Sequence, residues 1–527
     1  MERKNNNYLI PVLMALSITI GLFLGDSLSN KKELIFTEEE SRYQKLQDII
    51  EVLNRRYVDS VDGDAIFEST IADMLHRLDP HSNYIAAEDL KKMNESIHGK
   101  FGGIGIRFFI IRDTVCITNV LPNSPSLRAG LASGDKILEV DGKKITKIKI
   151  TNENVMDLLK GMEGTKVKLK LLRNGEKIIK TVERGSIPVE SVVASYMIEE
   201  EIGYVRINQF SVVTSIEFNQ AAKDLMDQGM KKMILDLRNN GGGVLTGATD
   251  IADEFLPENV PIVETRGAHS PKFTYSATAN GALEDIELVI LINSNSASAS
   301  EILAGAIQDN DRGMIFGRRS FGKGLVQEDV LLRDGSNLRL TIARYYTPTG
   351  RCIQKAYNGD IEAYYEDQIE RYDNGEMYEV DSSLFVDSLK YITPKGRVVY
   401  GGGGIMPDVF IPFDTSGSSW FLSELRYSSA FQIFAFDFVQ DKRNKWKGLK
   451  DFNRSFNVSD ALLNQFFDFA KERNNNMTKI KEQENSKRRI SALLKSEIAR
   501  QLWVEQGFYQ VRNSSDRDVL RAVEFLR

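Results

Sequence analysis

Residues 288–309 read LVILINSNSASASEILAGAIQD. Leu288 to Ile292 form a continuous apolar run, as a strand buried on both faces requires. From Ser300 to Gln308 the sequence reads as a helix following that strand. A strand that turns into a helix through serines places Ser298 beside free N–H groups and the positive end of the helix dipole. Both favour developing negative charge. Serines also serve as plain N-caps, so the turn alone leaves both readings open.

The strand–helix alternation continues upstream. Tyr204 to Ile207 reads as a strand, Phe218 to Met226 as a helix, and Met233 to Leu237 as a second buried strand. Residues 186–414 are therefore expected to form a mixed, layered α/β core. Within it, residues 356–396 are rich in Tyr, Asp and Glu without a clear period, and read as an insertion. Residues 100–185 switch to short strands separated by turn signals such as Asn174-Gly175. Residues 26–99 and 415–527 are expected to be largely helical. The stripe Ile490, Leu493, Leu494, Ile498 and Leu502 reads as a packing face. Asp79-Pro80 stops a helix, and His81 reads as a structural residue of the turn that follows.

A chain of 527 residues has room for two to four domains at roughly 100–200 residues each. With 42% apolar and 27% charged residues it is globular, which excludes a disordered or collagen-like chain. A net charge of -6 leaves no electrostatic footprint for nucleic acid. The two cysteines, Cys116 and Cys352, and the four histidines fit no zinc spacing, so no metal and no cofactor is expected. Tyr8 to Gly25 carries no charge and follows Arg3 and Lys4. It lies closer to the about 20 residues of a spanning helix than to the about 7–15 of a signal-peptide core. Residues 1–25 are thus expected to anchor the chain in an inner membrane with the remainder in the periplasm, ahead of the alternative of a removed export signal.

Two further strings bear on chemistry. Leu235 to Gly243, LDLRNNGGG, puts glycines just past a buried strand, where backbone N–H groups can approach a ligand. Gly317 to Gly324, GRRSFGKG, nearly spells a phosphate-binding loop, but Gly324 stands where that loop needs Ser or Thr. A nucleotide site is set aside on that mismatch.

Taken together, SASASEILAGAIQD, FGKGLVQ, LDLRNNGGG and YGGGGIMPD resemble the C-terminal processing proteases, or tail-specific proteases, over about residues 40–414. SPSLRAGLASGDKILEVDG resembles a PDZ domain over about residues 100–185. The first resemblance implies a serine endopeptidase with Ser298 as nucleophile, Lys323 as general base and Gln327 orienting the lysine. The N–H groups of Gly242, Gly243 and Ala299 are the candidate oxyanion hole. The proline that usually precedes the family's oxyanion glycines is absent. The PDZ resemblance implies capture of free apolar C-termini of proteins or peptides at Gly102, Gly103, Ile104, Gly105 and Ile106. A homo-oligomer or an adaptor is a further partner expectation.

The dyad makes a physical demand. Lysine is a base only when neutral. Moving its pKa from about 10.4 to 7 takes roughly 4.6 kcal/mol, so Lys323 must be buried and free of any carboxylate. Two competing readings are a non-catalytic PDZ-bearing scaffold or holdase, which the intact Ser298, Lys323 and Gln327 set disfavours, and an acyl-CoA-type hydratase, which the PDZ module and the export segment disfavour.

Overall fold

The computed structural model describes Met14 and residues 38–380, 386–473 and 480–527. The apolar stretch Tyr8–Gly25 lies outside the described residues apart from Met14, and among the described residues no helix is long and apolar enough to cross a membrane. The chain divides into two units, residues 1–75 and 76–527. The first holds the helix Glu38–Arg56 and most of the helix Gly63–His76.

The second unit is built on a six-stranded sheet. Val192–Met197 runs antiparallel to Ile202–Ile207. Then Lys232–Asp236, Glu287–Ile292, Met314–Gly317 and Val409–Phe410 follow in parallel. Side chains alternate between its faces, as strand geometry dictates. Val205, Leu235, Ile290 and Ile292 pack against Phe218, Ile251, Ile302 and Leu303 of the helices Thr214–Met226, Leu245–Asp253 and Ala299–Asp309. Their neighbours Tyr204, Ile234, Val289 and Leu291 face the other way and meet Val519, Ala522, Val523 and Leu526 of the last helix, Arg517–Leu526. The continuous apolar runs follow from this, because both faces of the sheet are covered.

The last helix is tied down by charge as well as by apolar contact. Arg238, at the end of the strand Lys232–Asp236, reaches Asp516 at 2.8 Å and Asp518 at 2.9 Å, and Arg318 reaches Asp518 at 2.8 Å. Arg206 and Arg238 also hold Asp236. Burial raises the Asp236 pKa, but the two guanidiniums outweigh it and keep the carboxyl well below the usual range.

A five-stranded sheet lies beside this core. In it Asn337–Tyr346 pairs with Asn83–Ile85, Pro261–Arg266 and Leu325–Leu331, and Phe273–Ser276 extends it. Lys100–Gly103 pairs with Gly185–Pro188 in a two-stranded sheet, and the strands of residues 106–183 form a separate one with its own buried cluster around Val115, Ile137, Val155 and Leu169. Its hairpin turn, Asn174 at φ 49° and Gly175 at φ 88°, is the left-handed pair that an Asn-Gly turn predicts. The strand Ile106–Ile111 is an edge of that sheet, paired among the described residues only with Thr114–Val120.

The segment 356–396, which shows no period in sequence, contains the helix Ile361–Asp373, capped by Asp360 accepting from the Ala363 N–H at 3.1 Å. The helix escapes a hydrophobic-period reading because its buried face presents Tyr364 and Arg371, a phenol and a guanidinium. Arg371 donates to the Ser320 carbonyl at 2.9 Å, so the helix is docked by hydrogen bonds. The C-terminal stripe is buried at Ile490, Leu493, Leu494 and Ile498 in a cluster with Phe431, Phe452 and Phe466.

At the end of the helix Ala299–Asp309, Asp309 and Arg351 form an ion pair at 2.6 Å with no solvent exposure on either side. Removing one partner strands a charge in the core. Asp309→Ala is expected to cost about 3–5 kcal/mol, read as a lowered urea midpoint. A loss under about 1 kcal/mol would contradict this packing.

Candidate active site

The three serines of the 296–300 turn meet different fates. The Ser296 hydroxyl donates to the Leu237 carbonyl at 2.8 Å and the Ser300 hydroxyl to the Asn240 carbonyl at 2.9 Å. Both residues are fully buried, and both stitch the turn to LDLRNNGGG. Ser298, between them, is half-buried and lines a cavity of about 490 Å³. Its backbone sits at φ 56°, ψ −114°, a conformation that only surrounding constraints sustain in a non-glycine residue.

Those constraints come from Glu301. Its Oε2 accepts from the Ser298 N–H at 2.8 Å and the Lys323 N–H at 2.9 Å. Its Oε1 accepts from the Ser320 hydroxyl at 2.5 Å and the Gly322 N–H at 2.7 Å. One carboxylate therefore holds the serine turn and the Phe321–Gly324 loop together. Burial raises the Glu301 pKa to about 7, against the four hydrogen bonds that favour its ionised form. The Tyr345 hydroxyl adds a second brace, at 3.2 Å from the Ser298 carbonyl and bonded also to the Lys323 carbonyl.

Lys323 and Gln327 line the same cavity. The Lys323 side chain is half-buried, and its Nζ donates to Gln327 Oε1 at 2.8 Å. Among the described residues it makes no ion pair, and no hydrogen bond joins it to Ser298 Oγ. Catalytic hydrogen bonds commonly tighten only when substrate arrives. Burial is the main force lowering the Lys323 pKa, to about 8; Arg339 assists it, while Glu301 and Asp79 oppose it. Gln327 is held in turn, since its amide donates to the His81 carbonyl. His81 is fixed by the Asp79 carboxylate, which accepts from the His81 and Ser82 N–H groups at 2.8 Å each. Its ring lies against Tyr364, with Nε2 3.1 Å from the hydroxyl. Burial, then Lys323, lowers the His81 pKa to about 3, so the ring stays neutral and is no proton acceptor near pH 7.

Of the glycines, Gly242 and Gly243 both border the cavity at positive φ, 96° and 140°. A Cβ on Gly242 would come within 2.7 Å of Ser298 Cβ, and one on Gly243 within 1.9 Å of the Phe210 carbonyl, so neither site admits a side chain. The Gly242 N–H is already engaged, donating to Asn240 Oδ1 at 2.9 Å. Ala299 begins the helix beside them, its backbone nitrogen 2.9 Å from that imagined Gly242 Cβ.

The five PDZ positions lie apart from this cavity. Gly102 and Gly103 pair with Ser186 and Gly185. Gly105 sits at φ 75° and turns the chain into the edge strand. Ile104 is 3% exposed and belongs to the domain's core, whereas Ile106 is half-buried on the edge strand. Apart from the serine turn, the residues that brace the site are not singled out by the sequence. Glu301 had a signal, because Ser298-x-x-Glu301 is the capping-box spacing. Tyr345 and the His81 carbonyl had none, since they act through the fold.

Residues 201–363 match Peptidase family S41, residues 102–183 match the PDZ domain family, and residues 421–504 match a family of unknown function. The chain is 38% identical to the carboxy-terminal-processing protease of Bartonella bacilliformis over 63% of this chain and 78% of the relative. It is 33% identical to a probable CtpA-like serine protease of Staphylococcus aureus over 65% of this chain and 68% of the relative. Among solved structures it resembles a photosystem II D1 C-terminal processing protease at 29% identity, with a TM-score of 0.34 over 58% of this chain and 89% of that one.

The Glu301 bridge is testable. Glutamine offers one acceptor oxygen and turns an NH₂ toward donors. Glu301→Gln is expected to lower kcat for peptide hydrolysis about 10²-fold or more, with KM little changed. An unchanged kcat would contradict the bridge.

Proposed function

Because the chain belongs to the S41 family of carboxy-terminal-processing serine peptidases, with a PDZ domain beside its catalytic core, we propose that it is an endopeptidase that works through a Ser298–Lys323 dyad and an acyl-enzyme. The observation that supports this most is the sorting of the serines. Ser296 and Ser300 are locked onto backbone carbonyls, and Ser298 alone of the three lines the cavity that Lys323 lines.

In this reading neutral Lys323 takes the Ser298 proton, and Oγ attacks the scissile carbonyl. Gln327, held by the His81 carbonyl, keeps Nζ aimed into the cavity. The oxyanion is met by the N–H groups of Gly243 and Ala299. The Gly242 N–H is spent on Asn240 and joins only if that bond opens. Lys323 then returns the proton to the leaving amine, and water releases the acyl group by the reverse route.

Substrates are proteins whose free apolar C-termini add to the edge strand Ile106–Ile111, with Ile106 at the pocket and the Gly102–Gly105 backbone at the carboxylate. The uncharged stretch Tyr8–Gly25 supports export, with anchoring at an inner membrane and the catalytic part in the periplasm.

The test compares the full-length protein with Ser298→Ala on a loosely folded protein ending in an apolar tail, with fragments followed by mass spectrometry. Only the serine form is expected to cut; equal cutting by both would overturn the assignment. The pH profile gives an independent check. A base with a pKa of about 8 is about 1% neutral at pH 6 and half neutral at pH 8. The value of kcat/KM, which reports the free enzyme, is therefore expected to rise roughly fifty-fold between those values. A profile flat from pH 6 to 8 would rule Lys323 out as the base.

A further inference from the structure

A second cavity, of about 380 Å³, lies where the C-terminal helices meet the core. Seven arginines and three aspartates line it. The aspartates are already committed. Asp516 and Asp518 hold Arg238 and Arg318, and Asp414 Oδ1 accepts from the Ser416 N–H and hydroxyl at 2.9 and 2.5 Å. Among the described residues four of the arginines, Arg426, Arg489, Arg512 and Arg517, make no ion pair, and the first three act on one another. Arg489 Nη1 donates to the Asp414 and Ser416 carbonyls and to the Ser418 hydroxyl, all neutral acceptors. Among the described residues neither Arg426 nor Arg512 makes an ion pair.

The three guanidiniums feel one another. Burial lowers the Arg426 pKa first, then the charges of Arg489 and Arg512 lower it further. Arg512 is likewise lowered by burial and by Arg489 and Arg238, although Asp516 and Asp414 pull the other way. On the floor, the Nε of Arg318 is buried without a hydrogen-bond partner, in a residue only 7% exposed. A solvated surface would let such arginines spread apart. Here they come from the helix Trp420–Tyr427 and from two points on Ile480–Arg512, and the fold holds them around one space.

We propose that this cavity is a binding site for a small oxyanion with two or more negative charges, of the phosphate or dicarboxylate class, clamped by Arg426, Arg489 and Arg512. Guanidinium forks match such oxygens in pairs. The bound anion replaces mutual repulsion with attraction and ties the C-terminal helices to Arg238–Asn239 and Asn293–Asn295 on the core side. Asn239 accepts from the Asn293 and Asn295 amides at 2.9 and 3.1 Å. The wall of the cavity is thus the outer side of the turn that leads to Ser298. The site also gives a ligand to the region 421–504, whose family has no known function.

The test uses the full-length protein at constant ionic strength, with inorganic phosphate and succinate titrated separately against chloride. Calorimetry and thermal unfolding are the readouts. Saturable binding of at least one oxyanion, with a matching rise in Tm, is expected, and the tighter of the two assigns the class. The double variant Arg426→Gln/Arg512→Gln is expected to lose at least tenfold in affinity. It is also expected to melt higher than wild type in chloride alone, because repulsion is relieved. No saturable binding of either anion, or undiminished affinity in the variant, overturns the proposal. Should the variant fail to fold, Arg426→Lys/Arg512→Lys keeps the charges and loses the forks. A loss of at least threefold in affinity then supports the site, and full affinity overturns it.

Discussion

The arrangement at the serine turn depends on one buried carboxylate. Glu301 accepts four hydrogen bonds, one from the Ser298 N–H at the start of its own helix and three from the Ser320 hydroxyl and the N–H groups of Gly322 and Lys323. A carboxylate taken out of water is expensive unless its lone pairs are filled. The expense makes the bridge specific. Any displacement of the Phe321–Gly324 loop from the helix start at Ala299 leaves a buried charge short of donors. The positive φ of Ser298 and the close approach of Gly242 to it are geometries that such a bridge can hold.

Charge is used in three distinct ways around the core sheet. Asp236, Arg206, Arg238, Asp516 and Asp518 are fully paired, and they fasten the last helix to the sheet's second face. The Lys323 side chain makes no ion pair among the described residues, so burial outweighs the pull of Glu301 and Asp79 and lowers its pKa to about 8. That is a smaller change than half-neutrality at pH 7 demands, and it leaves about a tenth of the lysine neutral there. Arg426, Arg489 and Arg512 make no ion pair among the described residues yet border one cavity, which is the ground of the anion proposal.

The core strands were legible because their residues follow simple patterns, and the PDZ domain because its SPSLRAGLASGDKILEVDG string resembles that family. Continuous runs such as Leu288–Ile292 gave the buried strands, and Asn174-Gly175 gave a hairpin. The helix Ile361–Asp373 was illegible because its inward face carries Tyr364 and Arg371 where a period search looks for aliphatic residues. The last helix, Arg517–Leu526, could be read as a helix but not as the cover of the core sheet, since its ion pairs with Arg318 and Arg238 span 200 and 280 residues of chain. At the site, the string resemblance singled out Ser298, Lys323 and Gln327, which the fold brings to one cavity. It did not reveal that the Gly242 N–H is occupied by Asn240, because a side chain's choice of partner leaves no mark on spacing.

The central claim is that Ser298 forms a covalent acyl-enzyme with Lys323 as its base. The most direct measurement is intact-mass analysis of the protein quenched in acid during turnover of an ester or peptide substrate, followed by peptide mapping. The account predicts an added mass equal to the acyl fragment, located on the peptide that contains Ser298 and absent from Lys323→Ala. An adduct on another residue, or one that forms at the same rate without Lys323, would contradict it.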